Sequence, residues 1–115
     1  MRSDEIGAIQ SHRRRFSTTG HAFAAPARVN LIGEHTDYTG GLVMPMAIEF
    51  ATVAVISKRQ DGRAVFYSEN FKEEASFELA SFDWSPQGHW TDYPLGVLWS
   101  FREAGVEVGG FSMSL

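Results

Sequence analysis

Between Pro26 and Pro45 the chain reads P-A-R-V-N-L-I-G-E-H-T-D-Y-T-G-G-L-V-M-P. Arg28, Asn30, Glu34, His35, Asp37 and Tyr38 fall within eleven residues, separated only by apolar residues, glycine and threonine. A core strand has no use for two carboxylates, a histidine and an arginine at this spacing, because each charge would need a buried partner. A ligand site made of hydrogen-bonding groups does. Any fold for this chain has to present the stretch to a ligand rather than bury it.

With 115 residues the chain is one domain or part of one. A chain of this size buries roughly two-thirds of its unfolded surface. Its hydrophobic share of 43% and aromatic share of 13% place it among globular sequences. The net charge of −4 supplies no field for nucleic acid or an anionic membrane, and neither is expected as a partner. The one basic cluster, Arg13-Arg14-Arg15, reads as a solvated helix end. There is no cysteine, which excludes disulfides and thiolate chemistry and fits a cytoplasmic protein. Arg28 and Asn30 interrupt the apolar run from Ala22 to Gly33, and no segment reaches the ~18 apolar residues of a membrane span. No apolar stretch follows the arginines in the manner of a signal peptide.

Residues 1–20 read as an N-terminal extension or short helix, with Ile6, Ile9 and Phe16 as its apolar positions and a break at Ser17-Thr18-Thr19-Gly20. Residues 21–115 read as the domain proper. His21–Ala25 leads into the motif as a strand, and Thr39-Gly40-Gly41 turns the chain. Ala47–Ser57 is a second strand, Gln60-Asp61-Gly62 a hairpin turn, and Arg63–Ser68 the returning strand. Ala75–Leu79 alternates as a further strand, and residues 81–89 form a loop. Thr91 or Asp92 then caps a helix, with Pro94 in its first turn. Leu95, Leu98, Trp99 and Arg102 follow at helical spacing, and Gly105 ends the element. Phe111, Met113 and Leu115 alternate with small residues, so the chain is expected to stop within a strand, as a truncated domain would.

The motif's chemistry suits a neutral sugar, which offers many hydroxyls and no charge. Carboxylates accept hydrogen bonds from vicinal hydroxyls, each such bond contributing about 1.5–3 kcal/mol. Glu34 and Asp37 are natural acceptors, and His35 donates or accepts beside them. Gly33 removes a side chain where the backbone passes the ligand. Arg28 is a fixed positive charge, suited to stabilising a transferring phosphoryl group or to keeping a neighbouring carboxylate ionised. Plainer readings stand beside these. Arg28 and Glu34 form a surface ion pair, His35 is a satisfied core residue, or Asp37 only shapes the turn. A metal site of Glu34, His35 and Asp37 is not expected, since neighbours along a strand point different ways.

These residues resemble the first motif of the galactokinases, P-G-R-V-N-L-I-G-E-H-T-D-Y followed by a glycine turn and L-V-x-P-x-A. The resemblance runs on through Gly41-Leu42-Val43-Met44-Pro45-Met46-Ala47. Ala27 stands where the family usually has glycine, and a positive φ there would strain alanine by about 1 kcal/mol. Trp90-Thr91-Asp92-Tyr93-Pro94-Leu95-Gly96-Val97 is similar to the family's W-x-N-Y-x-x-G-V, with Asp92 in place of asparagine. The resemblance covers roughly residues 20–115. It implies an α+β fold, the GHMP-kinase N-terminal domain, with a ribosomal-protein-like mixed sheet and helices on one face. It makes Arg28 the transition-state stabiliser, Glu34, His35, Thr36 and Asp37 the galactose contacts, and Trp90 and Tyr93 neighbours of the ATP adenine. An aromatic packing role at a helix start is an equal reading of that pair.

The family's second motif, P-x-G-x-G-L-S-S-S-A, whose backbone amides cradle the ATP phosphates, is absent from the 115 residues. The family's catalytic aspartate has no counterpart either. The resemblance therefore implies ATP and Mg²⁺ as cofactors, with the Mg²⁺ ligands in the rest of the kinase chain, and phosphorylation of galactose at the anomeric hydroxyl. Rival expectations are a galactose-binding regulator, an inactive fragment, or a kinase for N-acetylgalactosamine or arabinose.

Overall fold

A computed structural model describes residues 3–33 and 40–115. Its elements are α1 (Ser3–Phe16), β1 (His21–Ile32), β2 (Met44–Lys58), β3 (Arg63–Ser68), β4 (Glu73–Glu78), α2 (Asp92–Glu103) and β5 (Phe111–Ser114). The strands form one mixed sheet in the order β1-β2-β5-β3-β4. The expected α+β class holds, and both first strands run further than the sequence suggested. Among the described residues no helix is long and apolar enough to cross a membrane.

The turn at Gln60–Gly62 does not close a simple hairpin. β5 enters between β2 and β3, antiparallel to the first and parallel to the second. Arg59 holds the turn against the intruding strand. Its guanidinium donates to both Asp61 carboxylate oxygens, at 3.1 and 2.7 Å, and to Ser112 Oγ at 2.9 Å. The hydrogen bond from Arg59 holds the Asp61 carboxyl down at about 2. A turn signal reports local backbone geometry only and does not say whether the two strands it joins lie side by side.

Being central, β5 is covered on both faces, and the two faces differ in chemistry. Phe111 meets Ala64, Phe66, Leu95 and Leu98 in the main core, beneath α2. Phe66 and Phe111 pack edge to face at 5.5 Å. On the opposite face, Ser112 and Ser114 are buried beside Ser57, on the side of α1. The two helices thus lie on opposite faces of the sheet: α2 covers one face of the domain proper, and α1, from the N-terminal segment, docks on the other.

What anchors α1 is polar. His12 is fully buried, with Nδ1 2.7 Å from Ser114 Oγ and Nε2 2.8 Å from Ser57 Oγ. Ile9 and Phe16 flank it at helical spacing and are half-buried, whereas Ile6 is exposed. The apolar stripe was legible, but its deepest residue is a histidine that a hydrophobic pattern passes over. Asp4 and Glu5 in the first turn and Arg13–Arg15 in the last complement the helix dipole. Arg15 is more than a solvated end: its guanidinium lies 4.1 Å from the Tyr67 ring centroid and it pairs with Glu74 at 3.3 Å. Gly20 closes the link to β1 because there is no room for a side chain. A Cβ there would sit 2.6 Å from Val55 Cγ1 and 2.9 Å from the Ile56 carbonyl oxygen.

α2 ends as its sequence suggests. Gly105 N–H donates to the Arg102 carbonyl and Val106 N–H to that of Phe101, a Schellman turn. Its start differs. Thr91 is the N-cap but makes no side-chain capping bond. The Asp92 carboxylate instead accepts from the backbone N–H groups of Gln87 and Gly88, tying the preceding loop to the helix.

Two outcomes follow from the α1 contact. Burial lowers the His12 pKa from its ordinary value, so the unfolded chain takes up the proton first as pH falls. Urea unfolding midpoints should be level above about pH 6.5, the ordinary histidine value, and fall below it. His12→Gln should flatten that dependence and His12→Ala should cost about 2–3 kcal/mol, since two hydroxyls lose a partner beside a new cavity. Gly20→Ala should lower the unfolding free energy read from the same titrations by about 1–3 kcal/mol through overpacking against β2.

Candidate functional site

β1 and β2 form a long antiparallel ribbon from His21↔Ile56 to Ile32↔Met44. Its register shifts twice, between Pro26 and Arg28 and again between Asn30 and Ile32. Such irregularities re-aim side chains that a regular ladder would alternate strictly between two faces. Arg28, paired with Ala47, and Asn30, paired with Pro45, stand between the two shifts. Arg28 is exposed, and none of the ion pairs among the described residues includes it. Asn30 is half-buried, and its Oδ1 is a buried acceptor with no partner among the described residues. Gly33 leaves the strand with φ +86°, a conformation that side chains resist, as expected for a backbone turning away at the motif. Ala27 is not among the non-glycine residues with positive φ, so alanine carries no such strain there. Glu34, His35, Thr36 and Asp37 lie outside the described residues.

The ribbon's apolar side chains are unusually open. Phe23, Leu31, Ile32 and Phe50 are all more than half exposed, Phe50 at 78%. Beside the ribbon an open groove of about 900 Å³ runs between α2 and the sheet, lined among others by Thr52, Ile56, Val97, Phe101 and Met113. Tyr93 stands at this groove and is 83% exposed.

Trp90, three residues before Tyr93, has different neighbours. Its ring stacks on Phe71, with centroids 6.3 Å apart and planes 12° from parallel. Its indole N–H donates to Glu73 Oε2 at 2.7 Å, and His89 Nε2 lies 2.8 Å from the same oxygen. His89 Nδ1 is 2.8 Å from Thr91 Oγ1. The Trp90 and His89 hydrogen bonds, in that order, hold the Glu73 carboxyl below its usual range. Phe71, Glu73 and His89 were not legible as partners of Trp90. Phe71 arrives from the turn before β4 and Glu73 from the first position of β4, far away in sequence, and no periodicity links them to the start of α2.

A galactokinase galactose-binding signature matches residues 10–58. The galactokinase of Streptomyces coelicolor is 47% identical over 95 residues, covering 81% of this chain and 24% of that protein. The crystal structure of Lactococcus lactis galactokinase complexed with galactose superposes with a TM-score of 0.82 at 32% identity, covering 95% of this chain and 29% of that one. The Methanococcus jannaschii mevalonate kinase, at 19% identity and a TM-score of 0.67, shares the fold, covering 84% of this chain and 32% of that one. The chain spans about a quarter of the length of the curated relatives it matches. With the motif intact at positions 28–47 and the same sheet beneath it, the chain belongs to the galactokinase family, whose N-terminal part it matches.

Proposed function

We propose that this chain supplies the sugar-binding side of a galactokinase, which phosphorylates galactose at its anomeric hydroxyl with ATP and Mg²⁺. The observation that carries this is the unbroken set Arg28, Glu34, His35, Asp37 and Tyr38 inside the matched galactose-binding signature. Glu34, His35 and Asp37 accept and donate hydrogen bonds around the sugar ring, with Thr36 beside them. Asp37 sets the choice of a polyhydroxyl substrate, since an apolar substrate would leave its carboxylate unpaired. Arg28, set between the two register shifts of the ribbon, brings a permanent positive charge a few residues ahead of this group in sequence. In the reaction the anomeric oxygen bonds to the γ-phosphorus as the bond to the bridging oxygen of ADP breaks, and a cation lowers the barrier by meeting the spreading negative charge.

On the nucleotide side the fit is to the base. Trp90, stacked on the exposed Phe71, supplies an aromatic surface that suits a purine, and Tyr93 follows three residues on, in the first turn of α2. Among the described residues no group of three or more acidic or histidine side chains stands together to hold a metal. In this reading the Mg²⁺ ligands and the phosphate cradle lie in the part of a galactokinase that these 115 residues do not match. Cytoplasmic residence goes with it, as a cysteine-free sugar kinase needs no oxidising compartment.

In the complete protein, Asp37→Asn should abolish ATP-dependent galactose phosphorylation in a coupled ADP-release assay. Near-normal turnover would remove the kinase reading, and galactose binding without ATP consumption by the unmodified protein would replace it with a sugar sensor. Arg28→Lys should lower kcat roughly a hundredfold or more while leaving the KM for galactose within about threefold, as a lost transition-state contact does.

A further inference from the structure

We propose that Glu73 is a positioning residue for the nucleotide base, acting through the Trp90 indole. The inference rests on the reading that Trp90 borders the adenine. A tryptophan has one polar hydrogen, and here it is engaged: Nε1–H donates to Glu73 Oε2 at 2.7 Å. An indole so bound offers a ligand its π face and no donor, so Trp90 recognises a base by stacking. Stacking depends on the orientation of the plane, and three contacts set it. Glu73 fixes the N–H edge, Phe71 lies nearly parallel to one face, and the His89 ring sits 5.4 Å from the indole.

Glu73 is itself held. It opens β4, paired with Ser68 at the end of β3. An ionised carboxylate only accepts, so His89 donates through Nε2 to the same Oε2, at 2.8 Å. That leaves the neutral ring's Nδ1 to accept from the Thr91 hydroxyl at 2.8 Å, next to the first residue of α2. One oxygen thus joins the β3–β4 turn to the start of α2. The turn between these strands is built tightly. Phe71 N–H donates to Ser68 Oγ at 3.2 Å, Lys72 pairs with Glu69 at 3.1 Å, and Lys72 carries a φ of +53°, a left-handed conformation uncommon outside glycine. Two donors from the approach to α2 converge on one oxygen of an exposed carboxylate, and one of them is the indole N–H.

The test uses the complete protein with ¹⁵N-labelled tryptophan, and reads the Trp90 indole N–H resonance, identified by its loss in Trp90→Phe, alongside steady-state kinetics. Glu73→Ala should move that resonance and raise the KM for ATP roughly five- to tenfold, less than the loss of a direct charge-assisted contact because Glu73 acts through the ring. The KM for galactose and kcat should stay within about twofold. Glu73→Gln, which keeps an acceptor oxygen and the fold, should lie between the two. An unmoved resonance in both variants would overturn the clasp itself. A moved resonance with an unchanged KM for ATP in Glu73→Ala, and likewise in Trp90→Ala, would overturn the adenine assignment on which the proposal rests. A rise in the KM for galactose equal to that for ATP would show a general structural role and overturn the positioning one.

Discussion

The insertion of β5 between β2 and β3 is the constraint on which the rest of the structure depends. A strand paired on both edges and covered on both faces has no freedom left, and its four residues divide the molecule's chemistry in two. Phe111 and Met113 face α2 and join the aromatic core. Ser112 and Ser114 face α1, where Ser114 and Ser57 receive His12. The turn that sequence patterns mark as a hairpin becomes, under this intrusion, the rim of a split, laced to β5 by Arg59.

A buried histidine between two serine hydroxyls is a costly way to dock a helix, and its geometry explains why it works. Both ring nitrogens are satisfied, so the desolvation that lowers the His12 pKa leaves no unpaired polar atom behind. Leucine in that place would fill the space but strand two hydroxyls. The contact therefore specifies one register of α1 on the sheet, where an apolar stripe alone would permit sliding. The consequence is a link between proton uptake and helix docking.

Beyond Val55, where pairing with β5 ends, the β1–β2 ribbon projects with its apolar side chains open, and it is this projecting part that carries Arg28, Asn30 and Gly33. The site is thus built at the margin of the packed core, on a two-stranded element whose two register shifts break the simple alternation of faces. The second candidate region is assembled differently. Phe71, Glu73, His89 and Trp90 come from the β3–β4 turn and the approach to α2, and are joined through one carboxylate oxygen. One region is a local motif read along a strand. The other exists only where two distant segments meet.

That difference decides what could be read in advance. The residue types at positions 28–38 carry their chemistry with them, because two carboxylates, a histidine and an arginine in so short a stretch suit a polar ligand. Helix α2 and its end at Gly105 were legible for a similar reason: periodicity and capping are local. Sequence by itself determined the element types, the sugar-like character of the motif and its family. Only the tertiary structure decided that β5 parts β2 from β3, that α1 and α2 take opposite faces, and that His12 rather than Ile6 is the buried heart of α1. It also brought Glu73 to the Trp90 indole. Strand order and such polar contacts arise from pairings between residues far apart along the chain, and no local period encodes which distant strand or side chain will satisfy a given edge or donor.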